Sequence, residues 1–348
     1  MKNFKDRDFI KTREDFFFCV IGYEHPSDRV ISYLKYAPSS SGRWGRGATR
    51  FKRVLPYYTT PLLLETFQLL EKSYPQYLFD SPVLGIKMSA VPLTSFKTYY
   101  SPVEKLRQLF KAVKLDALQA KLVEFVHLLS DESGIPDAFF GVTGSLLIDI
   151  HRPTVSDIDV TIYGRENSQK LRENLLALYE TPGSPISRLK GRALESWCKL
   201  ISDLYPISMK MAKKIYERKW NIGRYRDTDF SIHPIKCDEE IVERYGDRVF
   251  TPKGMVEARA TVSDVAESPF LPATYGIKHV STVEGPRVAD LREVTTYESL
   301  YGELVDIDEK IVIRGKLEGV EDKRKQMKYH RILVGSLEGA GVDYIKFA

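Results

Sequence analysis

The chain has 348 residues, 43% hydrophobic and 28% charged, which excludes wholesale disorder and exceeds what one compact core absorbs. Its 52 basic and 47 acidic residues leave a mild net charge of +5. No run approaches the roughly 18 uncharged apolar residues of a membrane span. The opening MKNFKDRDFIKTRED lacks a signal-like apolar core, and Cys19, Cys198 and Cys237 form no CxxC pair. A soluble protein of the reducing cytoplasm, without disulfides or structural zinc, is expected.

From Phe16 to Ala37 the chain reads as two strands, the apolar run FFFCVIGY and the alternating RVISYLKYA, separated by the turn EHPSD. A glycine-bearing loop follows, then a helix around LLLETFQLLEKSY and a strand near GIKMSAV. Apolar residues from Leu106 to Leu129 recur at three-and-four spacing and predict one helix over Pro102–Leu129. AFFGV then reads as a strand, GSLLIDI as a helix opening after a turn, DIDVTIYG as a strand and RENSQKLRENLLALYE as a helix. Residues 186–226 read as mostly helical with a break near Tyr205-Pro206, and DFSIHPIK reads as a strand. Beyond Phe250, Val, Thr, Ile and Tyr with regular turn signals predict a β-rich domain. The expected units are an α/β region over 1–94, a mixed α/β core over 95–247 and a β-rich domain over 248–348.

Asp157 and Asp159 in SDIDV lie two apart, so a strand projects both carboxylates from one face while Ile158, Val160 and Ile162 enter the core. Adjacent carboxylates repel and call for a cation, a shared proton or ample water; magnesium is the usual hard-oxygen partner. Gly144-Ser145, at a predicted strand-to-helix turn, offers backbone N–H groups and a hydroxyl to phosphate oxygens. Each feature alone also fits a plain structural role: a solvated strand face and a capped tight turn. There is no P-loop, GxGxxG, HExxH or GxSxG, which removes the commonest kinase, dehydrogenase, metalloprotease and hydrolase readings.

Taken together, GVTGSLLIDIHRPTVSDIDVTIYG resembles the signature of the DNA polymerase β-like nucleotidyltransferase superfamily over about residues 139–179. The resemblance implies a nucleotidyltransferase-type mixed sheet with flanking helices, two magnesium (or manganese) ions, and transfer of a nucleoside monophosphate from an NTP to a hydroxyl with release of pyrophosphate. It implies that Gly144 and Ser145 hold the nucleotide's triphosphate, that Asp157 and Asp159 ligate metal, and that a later strand carries a third carboxylate. Matching DFSIHPIK on Pro234 puts Ser231 at that position, leaving Asp229, two residues earlier on the same face, as the favoured candidate and Glu257 as the other.

Between residues 186 and 226, eleven lysines and arginines stand against three acidic residues. Arg188, Lys210, Lys213, Lys214, Arg218 and Lys219 are the candidate nucleic-acid contacts, with Trp197, Tyr216, Trp220 and Tyr225 either stacking on bases or facing the core. A second basic stretch, Arg43, Arg46, Arg50, Lys52 and Arg53 around Trp44 and Phe51, reads as a nucleic-acid contact or a plain solvated loop. His151 and Arg152 lie between the two motifs, as phosphate contacts or loop residues. A nucleic-acid 3′ end is the expected acceptor. The competing expectations are a small-molecule or protein acceptor, and a catalytically inactive nucleic-acid-binding relative.

Overall fold

The computed structural model describes residues 3–45, 49–57 and 59–348. The first unit is a seven-stranded sheet of β1 (Phe9–Thr12), β2 (Phe17–Val20), β3 (Arg29–Pro38), β4 (Phe51–Arg53), β5 (Leu78–Ser81), β6 (Ile86–Pro92) and β7 (Phe96–Tyr100), with helix α1 (Thr60–Ser73). FFFCVIGY is apolar throughout because both faces of its strand are covered. Phe16, Phe18 and Val20 join Leu70 of α1 and Tyr77 in one core, whereas Phe17, Cys19 and Ile21 pack with Leu147, Ile148, Ile150 and Phe250 from the rest of the chain. The second of these packed faces lays the sheet across the segment that follows Gly144-Ser145.

The second unit begins with α2 (Pro102–Lys111) and α3 (Ala117–Ser133), two helices where the periodicity predicts one. The reason is Asp116, whose side chain accepts from the backbone N–H groups of Leu118 and Gln119 while the Gln119 side chain accepts from the Asp116 N–H. This capping box starts a new helix and redirects the chain. Next come β8 (Phe140–Val142), the single turn α4 (Gly144–Leu147), β9 (Ile158–Tyr163), α5 (Arg165–Glu180), β10 (Ile186–Ser187), α6 (Gly191–Leu204), α7 (Met209–Arg218), β11 (Ile222–Tyr225) and β12 (Thr228–Ile235). The strands form a mixed sheet in the order β10-β11-β12-β9-β8, with β12 and β9 parallel and the other pairs antiparallel. α3 and α5 cover it, burying Phe125, Val126, Leu171 and Leu175 against Ile158, Val160 and Ile232.

The remaining strands are β13 (Arg248–Glu267), β14 (Ala273–Glu284), β15 (Leu291–Thr296), β16 (Lys310–Asp322), β17 (Met327–Val334) and β18 (Tyr344–Phe347). They run β13-β14-β15-β17-β16 and close back on β13, with β15 and β17 parallel and β18 added beside β16. Helices α6 and α7 lie between β10 and β11 in sequence, yet Cys198, Ile201, Ala212 and Ile215 join the barrel core. The basic segment therefore bridges the small sheet and the barrel. No helix among the described residues is long and apolar enough to cross a membrane.

Candidate active site

The Gly-Ser turn and the Asp-x-Asp strand meet as their spacing predicts. β8 and β9 pair antiparallel, and the Thr143 N–H donates to the Asp159 carbonyl at 2.9 Å, so α4 opens directly beside the Asp159 side chain. Gly144 has φ +67°, and a Cβ there would overlap the Asp159 carboxylate. Both constraints demand glycine. The Thr143 hydroxyl donates to the Arg7 carbonyl at 2.8 Å, and the Gly45 N–H donates to the Ile150 carbonyl at 2.8 Å, tying the turn to the first unit.

Asp157 stands just before β9, and Asp159 follows on the same face. The Asp159 charge, and secondarily burial, raise the Asp157 carboxyl to about 6. Burial pushes Asp159 upward, but nearby His233, the charge of Lys35 and the hydrogen bond from Ser231 together outweigh it and hold that carboxyl well below the usual range. The pair titrates unequally, as two carboxylates sharing one face must.

Ser231 pairs in register with Asp159 across the parallel β9–β12 ladder. Its Oγ lies 2.5 Å from Asp159 Oδ1 and 2.9 Å from His233 Nε2, while His233 Nε2 is 3.8 Å from the same carboxylate oxygen. Burial and the positive Arg7 lower His233 to about 4, so it is neutral at physiological pH. The hydrogens then fall in one order: neutral His233 donates from Nε2 to Ser231, and Ser231 donates to Asp159. A neutral relay thus occupies the third position beside the aspartate pair.

Asp229 lies one residue before the β9–β12 pairing begins, but its Oδ1 accepts from Arg224 Nε at 2.8 Å, on the strand away from β9. Glu257 does not meet the condition for its candidacy. Its strand, β13, pairs with β14 and β16 in the barrel, and its carboxylate accepts from Tyr344 and Arg314. Among the described residues no group of three or more His, Cys, Asp or Glu side chains is arranged to hold a metal. Asp157 and Asp159 supply the paired hard oxygens that suit one divalent ion. The second expected ion has no third carboxylate beside them among the described residues.

Three cations come to the site from the first unit, and two of them, Arg7 and Lys35, were not singled out in the sequence. Arg7, at φ +69°, places Nε 3.2 Å from Asp6, and its charge acts on Asp159. Lys35 on β3 acts on both Asp157 and Asp159, and so does Arg53 on β4. Arg53 belongs to the second basic stretch and lies 5.1 Å over the Trp44 ring; Arg46 lies outside the described residues. No motif marks Lys35 or Arg7. The available signals were a lysine on the apolar strand RVISYLKYA and a histidine two residues from Ser231, which share a strand face.

The basic segment is less open than its composition suggests. Lys219 is buried and donates to the carbonyls of Ser299 and Gly302; Arg218 is paired with Asp306 and Glu309; Arg188 donates to the Lys219 carbonyl. Trp220, Tyr216 and Tyr225 are buried, and Trp197 packs edge-on to Tyr216, so the aromatics face the core. Lys210, Lys213 and Lys214 remain exposed on α7. His151 is buried with Nε2 2.8 Å from Asp116, while Arg152 is exposed.

Over 98% of both chains, the sequence is 29% identical to an uncharacterized protein, MJ1086, of Methanocaldococcus jannaschii. No family model matches the chain, and no solved structure matches it.

Proposed function

We propose that this chain is a metal-dependent nucleotidyltransferase that moves a nucleoside monophosphate from an NTP to a hydroxyl acceptor. The observation that carries the reading is the contact of Gly144, at positive φ, with the Asp159 carboxylate, two residues from Asp157 on one strand face. That contact brings a turn suited to phosphate and a pair of hard-oxygen ligands onto one short stretch of sheet edge. A divalent ion held by Asp157 and Asp159 would supply Lewis-acid stabilisation of the charge that builds on the α-phosphate. In this reading Gly144 and Ser145 orient the nucleotide, and Ser231 with His233 keeps Asp159 ionised and fixed in rotamer. Asp229 becomes the third carboxylate only on release from Arg224.

A nucleic-acid 3′ end is the favoured acceptor. Two features support it: the exposed Lys210, Lys213 and Lys214, and the strand order of the barrel, with its third and fifth strands parallel. A closed five-stranded barrel of this order is the OB type, which carries oligonucleotides on its second and third strands; this is an analogy of fold alone. A second reading, a nucleotide- or nucleic-acid-binding protein without transferase activity, is favoured by Ser231 in the place of a carboxylate.

The deciding experiment supplies α-labelled NTPs and dNTPs, magnesium or manganese, and RNA and DNA 3′ ends to the wild type and to an Asp157→Asn/Asp159→Asn variant. Label transferred by the wild type alone is the expected result. Nucleotide and oligonucleotide binding without transfer, across nucleic, small-molecule and protein acceptors, replaces it with the second reading.

A further inference from the structure

Cations from a different unit act on the Asp157–Asp159 face. Lys35 and Arg53 come from neighbouring strands of the N-terminal sheet, β3 and β4, whose register pairs Tyr36 with Arg53. Both charges act on the aspartates, yet among the described residues neither makes an ion pair with either carboxylate. Arg7 differs: its charge is already engaged by Asp6. Arg53 is held from behind, over Trp44 at 5.1 Å and donating to the Tyr36 hydroxyl at 3.3 Å, while its buried Nε has no hydrogen-bond partner among the described residues. Lys35 is half-buried, with its ammonium 5.7 Å from the Phe9 ring.

Two cations whose charges act on both carboxylates yet pair with neither, one of them with a buried Nε lacking a hydrogen-bond partner among the described residues, are not explained by a plain ion pair. Two half-buried cations left short of their counter-ions forgo favourable Coulomb energy unless a ligand completes the circuit. A ligand that satisfies both sets of charges carries a divalent cation toward the carboxylates and several phosphate oxygens toward the ammonium and guanidinium. Guanidinium suits this role, because its planar fork matches phosphate oxygens.

From this geometry we infer that Lys35 and Arg53 bind the polyphosphate chain of the nucleoside triphosphate, so that the N-terminal sheet is half of the nucleotide site. The inference rests on the nucleotidyltransferase reading for the identity of the ligand, but its residues and its test are separate. Trp44 and Tyr36 are positioning residues that hold the Arg53 guanidinium in place. The same phosphate chemistry occurs along a nucleic-acid backbone, and the experiment separates the two sources.

The probe is inorganic tripolyphosphate, titrated calorimetrically into the full-length protein with and without magnesium, with a single-stranded oligonucleotide titrated in parallel. Arg53→Gln and Lys35→Gln each weaken magnesium-tripolyphosphate binding about tenfold, the scale of one charge-assisted contact, whereas Arg53→Lys, which keeps the charge but not the fork, weakens it less. Circular dichroism and melting curves identify any variant that fails to fold; Lys35→Gln and Arg53→Lys then carry the comparison. Affinity unchanged within twofold in folded Arg53→Gln and Lys35→Gln overturns the inference, as does absence of tripolyphosphate binding by the wild type. Loss of oligonucleotide affinity alone in these variants also overturns it, assigning the cations to the nucleic-acid backbone. If the wild type transfers no label yet binds tripolyphosphate through these residues, the polyphosphate site stands and the transferase reading falls. If label is transferred and the variants bind tripolyphosphate as the wild type does, the reverse holds.

Discussion

Ser231 faces Asp159 across the parallel β9–β12 pair and donates its hydroxyl proton to Oδ1 at 2.5 Å, with His233 Nε2 2.9 Å behind it. A neutral donor at this position stabilises an ionised aspartate, where a third carboxylate would repel it. Ser231→Ala removes that donor, and a hydrogen bond to a charged group contributes about 1.5–3 kcal/mol. The variant is expected to melt at lower temperature and to bind magnesium with a shifted pH dependence. Ser231→Asp adds a third negative charge: it destabilises the metal-free protein and enlarges the rise in melting temperature on adding magnesium. An equal magnesium response in Ser231→Asp and wild type would contradict a metal at Asp157 and Asp159.

Gly144→Ala meets two penalties, a left-handed backbone angle and overlap with the Asp159 carboxylate. The backbone term alone costs about 1–2 kcal/mol. Urea denaturation is expected to show at least that loss, and magnesium titration a weakened site, because Asp159 must move. Gly183, also at positive φ but with nothing near its missing Cβ, is the control. Gly183→Ala shows the backbone cost without the loss of metal binding.

Buried Asp8 accepts from Tyr99 at 2.6 Å and from the Lys5 N–H at 2.9 Å, and burial raises its carboxyl to about 7. A carboxyl raised from 3.8 to about 7 binds its proton more tightly folded than unfolded. Its contribution to stability is therefore full below about pH 4 and is lost as pH rises through about 7. One pKa unit corresponds to about 1.4 kcal/mol, so the pH-linked loss has an upper bound of about 4 kcal/mol. Asp8→Asn keeps a hydrogen-bond acceptor and removes the titration. Urea midpoints at about pH 5 and about pH 8, on either side of the raised carboxyl, should differ less in the variant than in the wild type; equal differences would remove Asp8 from this role.

Asp116 caps α3 and binds buried His151, which precedes the loop that leads to Asp157. Asp116→Ala forfeits a cap, about 1 kcal/mol, and adds the cost of a buried imidazole left without this acceptor. Hydrogen exchange should quicken in residues 150–157 as well as at the start of α3. Acceleration confined to the helix would show that the loop is held by other contacts.

On the basic segment, Lys210, Lys213 and Lys214 are exposed whereas Lys219 is buried, donates to two carbonyls and is lowered by burial to about 8. Replacing the three exposed lysines with glutamine should weaken oligonucleotide binding and flatten its salt-dependence slope, by roughly one for each phosphate charge no longer neutralised. Lys219→Gln should lower stability, leaving that slope unchanged in whatever fraction remains folded. An unchanged slope in the triple variant would move the nucleic-acid surface away from α7.

Local rules made much of this protein legible. Alternation marked β3 and β9, three-and-four spacing marked the stretch of α2 and α3, and the spacing of Gly144-Ser145 to Asp157 and Asp159 predicted their meeting, because antiparallel β8 and β9 are close in sequence. The break between α2 and α3 was also written locally, in Asp116 and Gln119, but the apolar period runs through it and conceals the cap. What the tertiary structure alone decided concerns groups far apart in the chain. The charges of Lys35 and Arg53 act on the aspartates because Phe17, Cys19 and Ile21 bury against Leu147, Ile148 and Ile150, and burial of apolar area has no sequence spacing to announce it. Likewise, charge in residues 186–226 was countable from composition, but Asp306, Glu309 and the barrel carbonyls that engage Arg218 and Lys219 arrive from some eighty or more residues away. Composition counts charges; only packing determines which of them still face water.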